Sequence, residues 1–232
     1  MPIPIPILQG LRLFDRLPVE TLAKIAPAMN ERKVERRAVV IKLGETDAGL
    51  GFLIEGRLQT VNFTLDGKEV GIDFIHEGDF FGELSVIDGK PAPEYIIAVA
   101  PSRLAFLGRE EARELMFSTP TSASAIATRM AERMRLAASH RAMLALPSSF
   151  QRVCAQLSLL AQKNPSGKFV IVMPPTHQEI AIMVNTSRET VTRTLQFLQG
   201  MKVVARAGGE LVVDQPETLQ EAADGKVAPA KP

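Results

Sequence analysis

The spacing of hydrophobic residues changes several times along the chain, and each change predicts a different kind of element. Between about residues 35 and 107, apolar residues form short runs or alternate with polar ones, at 38–41, 51–54, 58–63, 70–75, 95–100 and 102–107. Turn signals separate the runs: Gly44-Glu-Thr-Asp47, Glu55-Gly56, Asp66-Gly67, Glu77-Gly-Asp79 and Asp88-Gly89. Many short strands at regular spacing with acid–glycine turns predict a β sandwich or jelly roll. Ahead of them, Pro18 followed by a stripe through Leu22 and Ile25 predicts a short helix that covers an edge of the strands.

After residue 107 the period lengthens to three or four. Residues 109–116 read as a helix, and a longer one runs from Pro120 to about Leu146. On it Ile126, Met130, Met134, Ala137, Ala138 and Arg141 recur, flanked by Arg129, Glu132, Arg133 and Arg135. A narrow apolar stripe between charged flanks fits either a core helix or a two-stranded seam. The seam is the preferred reading, with the arginines as a solvated flank, because the segment that follows is of a kind that works in pairs.

That segment runs from Thr176 to Gly200. Ile180 and Val184 give a first helix its buried stripe, and Val191, Leu195 and Leu198 give a second helix another. Ser187 stands where an N-cap belongs, and Gly200 is placed to end the second helix. Arg188, Glu189 and Arg193 are left facing outward. The chain continues with two short β-branched runs around Gly208-Gly209, which predicts a hairpin, so the unit reads as helix, turn, helix, wing. In a DNA major groove, Arg188 and Arg193 have the geometry to donate to guanine edges, and Glu189 to accept from a cytosine amine.

Charge sharpens this picture. The net charge is only +1, yet residues 1–119 carry 14 Lys and Arg against 18 Asp and Glu, while residues 146–215 carry 7 against 4. The basic excess lies with the helix-turn-helix, where a dimer would double it. With 232 residues and 46% hydrophobic content, the chain has enough material for two cores and a connector. No apolar run approaches the roughly 20 residues of a membrane span, and the opening Met-Pro-Ile-Pro-Ile-Pro lacks the basic flank of a signal helix, so a cytoplasmic location without membrane association is expected. A lone Cys154 provides no disulfide partner and no iron–sulfur ligand set. A metalloenzyme on a cupin-like barrel would need clustered ligands, whereas His76, His140 and His177 fall on three separate segments; no enzyme is expected and no metal site is assigned.

A jelly roll, a long helix and a winged helix-turn-helix, in that order, resemble the cyclic-AMP receptor protein/FNR (CRP/FNR) family of bacterial transcription regulators. The motifs that carry the resemblance are Gly44-Glu-x-Asp-Ala48 with Gly56, Gly78-Asp-Phe-Phe-Gly-Glu-Leu84, and Ser187-Arg-Glu-Thr-Val-x-Arg193. It covers about residues 14–214 and implies an α+β fold: an N-terminal cyclic-nucleotide-binding-like jelly roll at 1–119, a dimerisation helix at 120–146, and a winged helix-turn-helix at 147–215. Residues 216–232 are expected to be disordered. The resemblance implies base reading by Arg188, Glu189 and Arg193 on a palindrome with half-sites similar to TGTGA, and phosphate contacts from Thr176, Gln178, Ser187 and Thr190. The wing's usual basic residue falls on Gly209, which leaves Arg206 as the candidate for that contact. RNA polymerase is the further partner implied, with the loop at residues 162–168 a candidate contact.

The effector pocket departs from the pattern. The family's phosphate cassette begins Gly-Glu-Leu, here Gly82-Glu83-Leu84, and continues to an Arg-Ser or Arg-Thr pair, which falls on Pro93-Glu94. Proline offers no donor, and glutamate repels a phosphate. The Thr-Ser pair that meets adenine corresponds to Ala137-Ala138. Binding of cyclic AMP in the usual manner is therefore not expected. A cyclic di-GMP site drawing on Arg129, Arg133 and Arg135, or regulation without an effector, stays open as the alternative. Glu83 has a plain structural reading as well, as an acceptor for backbone N–H groups in a tight turn.

Overall fold

The computed structural model describes residues 3–63 and 69–227, so the Asp66-Gly67 turn and residues 228–232 lie outside the described residues. The chain forms two compact units, Met1–Arg135 and Leu136–Pro232. In order, the first holds α1 (Ile5–Gln9), α2 (Val19–Ile25), β1 (Asn30–Val34), β2 (Val39–Ile41), β3 (Leu50–Glu55), β4 (Leu58–Phe63), β5 (Glu69–Ile75), β6 (Phe80–Phe81), α3 (Glu83–Asp88), β7 (Tyr95–Ala98), β8 (Ser102–Leu107) and α4 (Arg109–Ser118). The long helix α5 (Pro120–Leu144) begins in this unit.

Among the described residues the strands make two antiparallel four-stranded sheets, ordered β1-β8-β3-β6 and β2-β7-β4-β5. Period-two alternation directs side chains to two separate cores. On β3, Leu50 and Phe52 join a cluster with α1, α2, α4 and Ile126 of α5, while Leu53 faces the cluster that holds Ile41, Leu58, Ile75, Ile96 and Leu104 between the sheets. Gly82 links β6 to α3 at φ +82°, and a Cβ there would lie 2.7 Å from the Gly49 carbonyl oxygen, so only glycine fits.

The strand expectations hold for β2 to β5, β7 and β8, within a residue or two. Strand β1 was not expected: Asn-Glu-Arg-Lys-Val is exposed except at Val34 and shows no apolar alternation. It is a charged edge strand, held by its pairing with β8. The apolar stripe of α5 needs correction too. Ile126 is buried and Met130 packs against the same core, so neither lies on an exposed seam. The outward stripe of α5 is instead Ala127, Met134 and Ala138, joined at a four-three-four spacing by the half-buried Ala131, with Met134 74% exposed. Arg129 and Arg133 are not a solvated flank either; their side chains are only 11% and 19% exposed.

The second unit continues with α6 (Ser149–Leu160), β9 (Gln162–Lys163), β10 (Phe169–Ile171), α7 (His177–Met183), α8 (Arg188–Gly200), β11 (Val204–Ala207), β12 (Glu210–Val213) and α9 (Pro216–Ala223). The wing hairpin is part of a sheet ordered β11-β12-β10-β9. Gly208 and Gly209 turn it at φ +57° and +87°, as a two-residue hairpin loop requires. The loop at 162–168 is the tip of the β9–β10 hairpin, where Asn164 N–H donates to the Lys168 carbonyl at 2.8 Å. Disorder from residue 216 onward is not observed up to Lys226: α9 buries Leu219, Ala222 and Ala223 and packs on α6. Three apolar residues on one face, with Pro216 at N1, suffice to dock a short helix on an existing core.

Candidate nucleic-acid interface and sensor pocket

Each helix of the 176–200 segment is capped by its own sequence. The Thr176 hydroxyl accepts from the Glu179 N–H and the Glu179 carboxylate accepts from the Thr176 N–H, a closed capping box at α7. The Ser187 hydroxyl accepts from the Thr190 N–H at 3.2 Å, as expected of the N-cap of α8. Ile180, Val184, Val191, Leu195 and Leu198 are all buried. Gly200 is the last residue of α8, but the left-handed position that stops the chain is Lys202, at φ +57°. The turn between α7 and α8 is held by Arg152 of α6, whose guanidinium donates to the carbonyls of Val184 at 2.9 Å, Asn185 at 3.3 Å and Leu146 at 3.1 Å. Asn185, at φ +49°, supplies the left-handed turn residue. Sequence reading gave Arg152 no role, since nothing in its local pattern marks a contact 32 residues away.

On this frame Arg188, Glu189 and Arg193 are exposed along α8, and Thr176, Gln178, Ser187 and Arg206 are exposed, with Thr190 half-buried. Glu189 is held below the usual carboxylate range by its own backbone N–H and the Ser187 hydroxyl, with Arg188 and Arg193 adding to the effect. It is an anionic acceptor beside two permanent donors. His177 at the start of α7 lies within 2.8 Å of the Thr192 hydroxyl of α8, which itself donates to the Arg188 carbonyl. With that proton committed, His177 donates through Nδ1 and leaves Nε2 free to take a proton. Burial, Arg206 and Arg188 lower its pKa. Sequence reading placed no function on His177, although it sits between two phosphate candidates.

The expected effector pocket, in the first unit, has a different character. Gly82, Glu83, Leu84, Pro93 and Glu94 come together with Ile41, Ala92 and Arg133 around a cavity of about 20 Å³, enough for one water-sized group. Glu83 is fully buried and does not serve as an acceptor for turn amides. It is ion-paired with Arg133, whose guanidinium also lies 3.8 Å from Glu94. Burial raises the pKa of Glu94, against the pull of Arg133 and with the help of Glu83 and Asp73. Asp73 is likewise raised by burial. Burial alone would lower the pKa of Arg133, but Glu83, Glu94 and Asp73 outweigh it and raise the pKa. Arg129 pairs with Asp79 at 3.1 Å and with Glu132 at 3.6 Å. Two of the three arginines considered for cyclic di-GMP are thus occupied by carboxylates, and they do not share a site. Ala137 and Ala138 are exposed on α5 and belong to the second unit.

Two domain models match the sequence: the cyclic nucleotide-binding domain over residues 31–119 and the Crp-like helix-turn-helix domain over residues 151–222. The chain belongs to the CRP/FNR family.

Its similarity to other members extends over most of its length. It is 28% identical over 187 residues to the cAMP-activated global transcriptional regulator CRP of Pasteurella multocida, covering 78% of this chain and 88% of that one. It is 27% identical over 218 residues to the cyclic AMP receptor protein of Thermus thermophilus, covering 94% and 99%. FixK2 from Bradyrhizobium japonicum shares the fold at a TM-score of 0.71 and 17% identity, covering 87% of this chain and 99% of that one. The α+β architecture of jelly roll, long helix and winged helix-turn-helix is therefore that of CRP/FNR members, and the chain is a DNA-binding transcription regulator. The Crp-like match extends through α9, consistent with that helix being part of the unit. Among the described residues, no helix is long and apolar enough to cross a membrane, and no group of side chains is arranged to hold a metal ion.

Proposed function

We propose that the protein acts as a homodimer in the cytoplasm and reads a palindromic DNA site through α8, with half-sites similar to TGTGA. Arg188 and Arg193 donate to guanine and Glu189 accepts from cytosine, while Thr176, Gln178, Ser187, Thr190 and Arg206 set the register on phosphates. The observation that carries this reading is the exposed trio Arg188, Glu189 and Arg193 on a helix whose start is fixed by Ser187 and whose approach is fixed by Arg152. The apolar stripe through Ala127, Ala131, Met134 and Ala138, exposed except at the half-buried Ala131, supports pairing of two copies along α5.

The regulatory half reads differently from a cyclic-AMP receptor. Glu94 stands where the phosphate would need a cation, and Arg133 is already committed to carboxylates. A cyclic nucleotide phosphate would meet a net negative pocket with no room for it. The effector, where there is one, is not bound in the usual cyclic-AMP manner. A mobility shift on a TGTGA palindrome tests the DNA reading: Arg188→Ala should lose about 1–3 kcal/mol and relax selectivity at one base pair. Unchanged affinity and selectivity would refute it.

A further inference from the structure

We propose that the jelly-roll pocket is a cation site occupied by the chain's own Arg133, so that its recognition chemistry suits a guanidinium group rather than an anionic nucleotide. The proposal rests on the reading that cyclic AMP is not bound in the usual manner, and it extends that reading to a ligand class.

Two carboxylates, Glu83 and Glu94, lie against the one guanidinium of Arg133. Arg129, one turn earlier on the helix, is paired with Asp79 and Glu132. The site therefore carries more negative than positive charge. Glu83 adds an independent sign: its side chain is 1% exposed, Oε1 takes Arg133, and Oε2 is buried without a hydrogen-bond partner among the described residues. A buried carboxylate oxygen with spare acceptor capacity is the counterpart of a group rich in N–H donors, and a guanidinium offers five such donors in a planar fork.

Residual space of about 20 Å³ means that nothing larger than a water joins Arg133 in the pocket. Arg133 is a tethered occupant. It holds α5 against α3 and the residue before β7 from within the first unit. An exogenous cation enters only when this side chain is removed.

The test is chemical rescue on the full-length protein. Arg133→Ala should lower the melting temperature by on the order of 5–10 °C, as loss of one partner of a buried ion pair does. Ethylguanidinium at about 10 mM, close in shape to the deleted side-chain end, should restore most of that loss while leaving the parent unmoved. Cyclic AMP should restore none of it. Absence of rescue in a folded Arg133→Ala protein overturns the proposal, as does stabilisation of that variant by cyclic AMP. If Arg133→Ala does not fold, Arg133→Lys and Arg133→Gln decide: the cation site requires Lys to melt near the parent and Gln well below it, and equal melting of the two overturns it. These readouts are independent of DNA, so failure of the DNA reading would appear in mobility shifts and not here.

Discussion

Arg133, on the long helix α5, is ion-paired with Glu83, the fully buried first residue of α3, 50 positions away in sequence. The pair ties α5 to the start of α3, inside the stretch that matches the cyclic nucleotide-binding domain. Because Glu94 lies beside it, the cluster carries two carboxylates against one guanidinium even before Asp73 is counted.

That imbalance gives a pH dependence with a definite sign. Burial raises the pKa of Glu94 above its unfolded value, so its proton is bound more tightly in the folded state. Its stability contribution is complete below the unfolded pKa and is lost as pH rises through the folded one. Glu94→Gln, which is permanently neutral, should therefore melt above the parent at neutral pH. The difference should shrink as pH falls into the carboxylate range, and calorimetric scans of the two proteins over that range check it.

Arg152 should matter as much to the reading head as any residue on it. Arg152→Met removes donors from three carbonyls, at Leu146, Val184 and Asn185. The expected cost is about 2 kcal/mol, or roughly 4–8 °C in melting temperature. A weaker mobility shift should accompany it, because α7 and α8 lose their fixed angle. A variant that melts and binds like the parent would remove Arg152 from the explanation of the turn.

The exposed stripe of α5 predicts where two copies meet. Met134→Glu would place like charges opposite each other across a two-fold seam, since each copy presents the same residue. Sedimentation should show at least about tenfold weaker dimerisation, equivalent to ~1.4 kcal/mol. Ile126→Glu, by contrast, should unfold the first unit, because Ile126 is only 6% exposed in its core.

His177 predicts a proton linkage to DNA binding. Burial, Arg206 and Arg188 lower its pKa in the free protein, while a nearby phosphate would raise it. Binding then takes up a proton, so affinity should rise as pH falls from about 8 to about 6. In His177→Gln that slope should flatten, which fluorescence titrations at several pH values would resolve.

Most of the fold was legible because its signals are local. The short apolar runs in β3, β4 and β8, the Gly208-Gly209 turn and the Ser187 cap each sit within a few residues of what they specify. Features decided by distant partners were not legible. Strand β1 has no apolar pattern, and only pairing with β8 makes it a strand. Helix α9 looked too polar to fold alone and is held by packing on α6. Met130 reads by its spacing as part of a seam, and packing against the core formed by α1, α2, β3 and α4 places it inside instead. The departure of Pro93 and Glu94 from the cyclic-AMP pattern could be read directly; the guanidinium that answers Glu94 could not, because residues 39 positions apart carry no mark of their contact.

The most direct test of the whole reading is the dissociation constant of the full-length protein for a TGTGA palindrome, measured by fluorescence anisotropy with and without saturating cyclic AMP. Tight, selective binding that cyclic AMP leaves unchanged is the predicted result. A tightening of about tenfold or more on addition of cyclic AMP would contradict it, since that coupling of ~1.4 kcal/mol would require the nucleotide to displace Arg133 from Glu83 and Glu94.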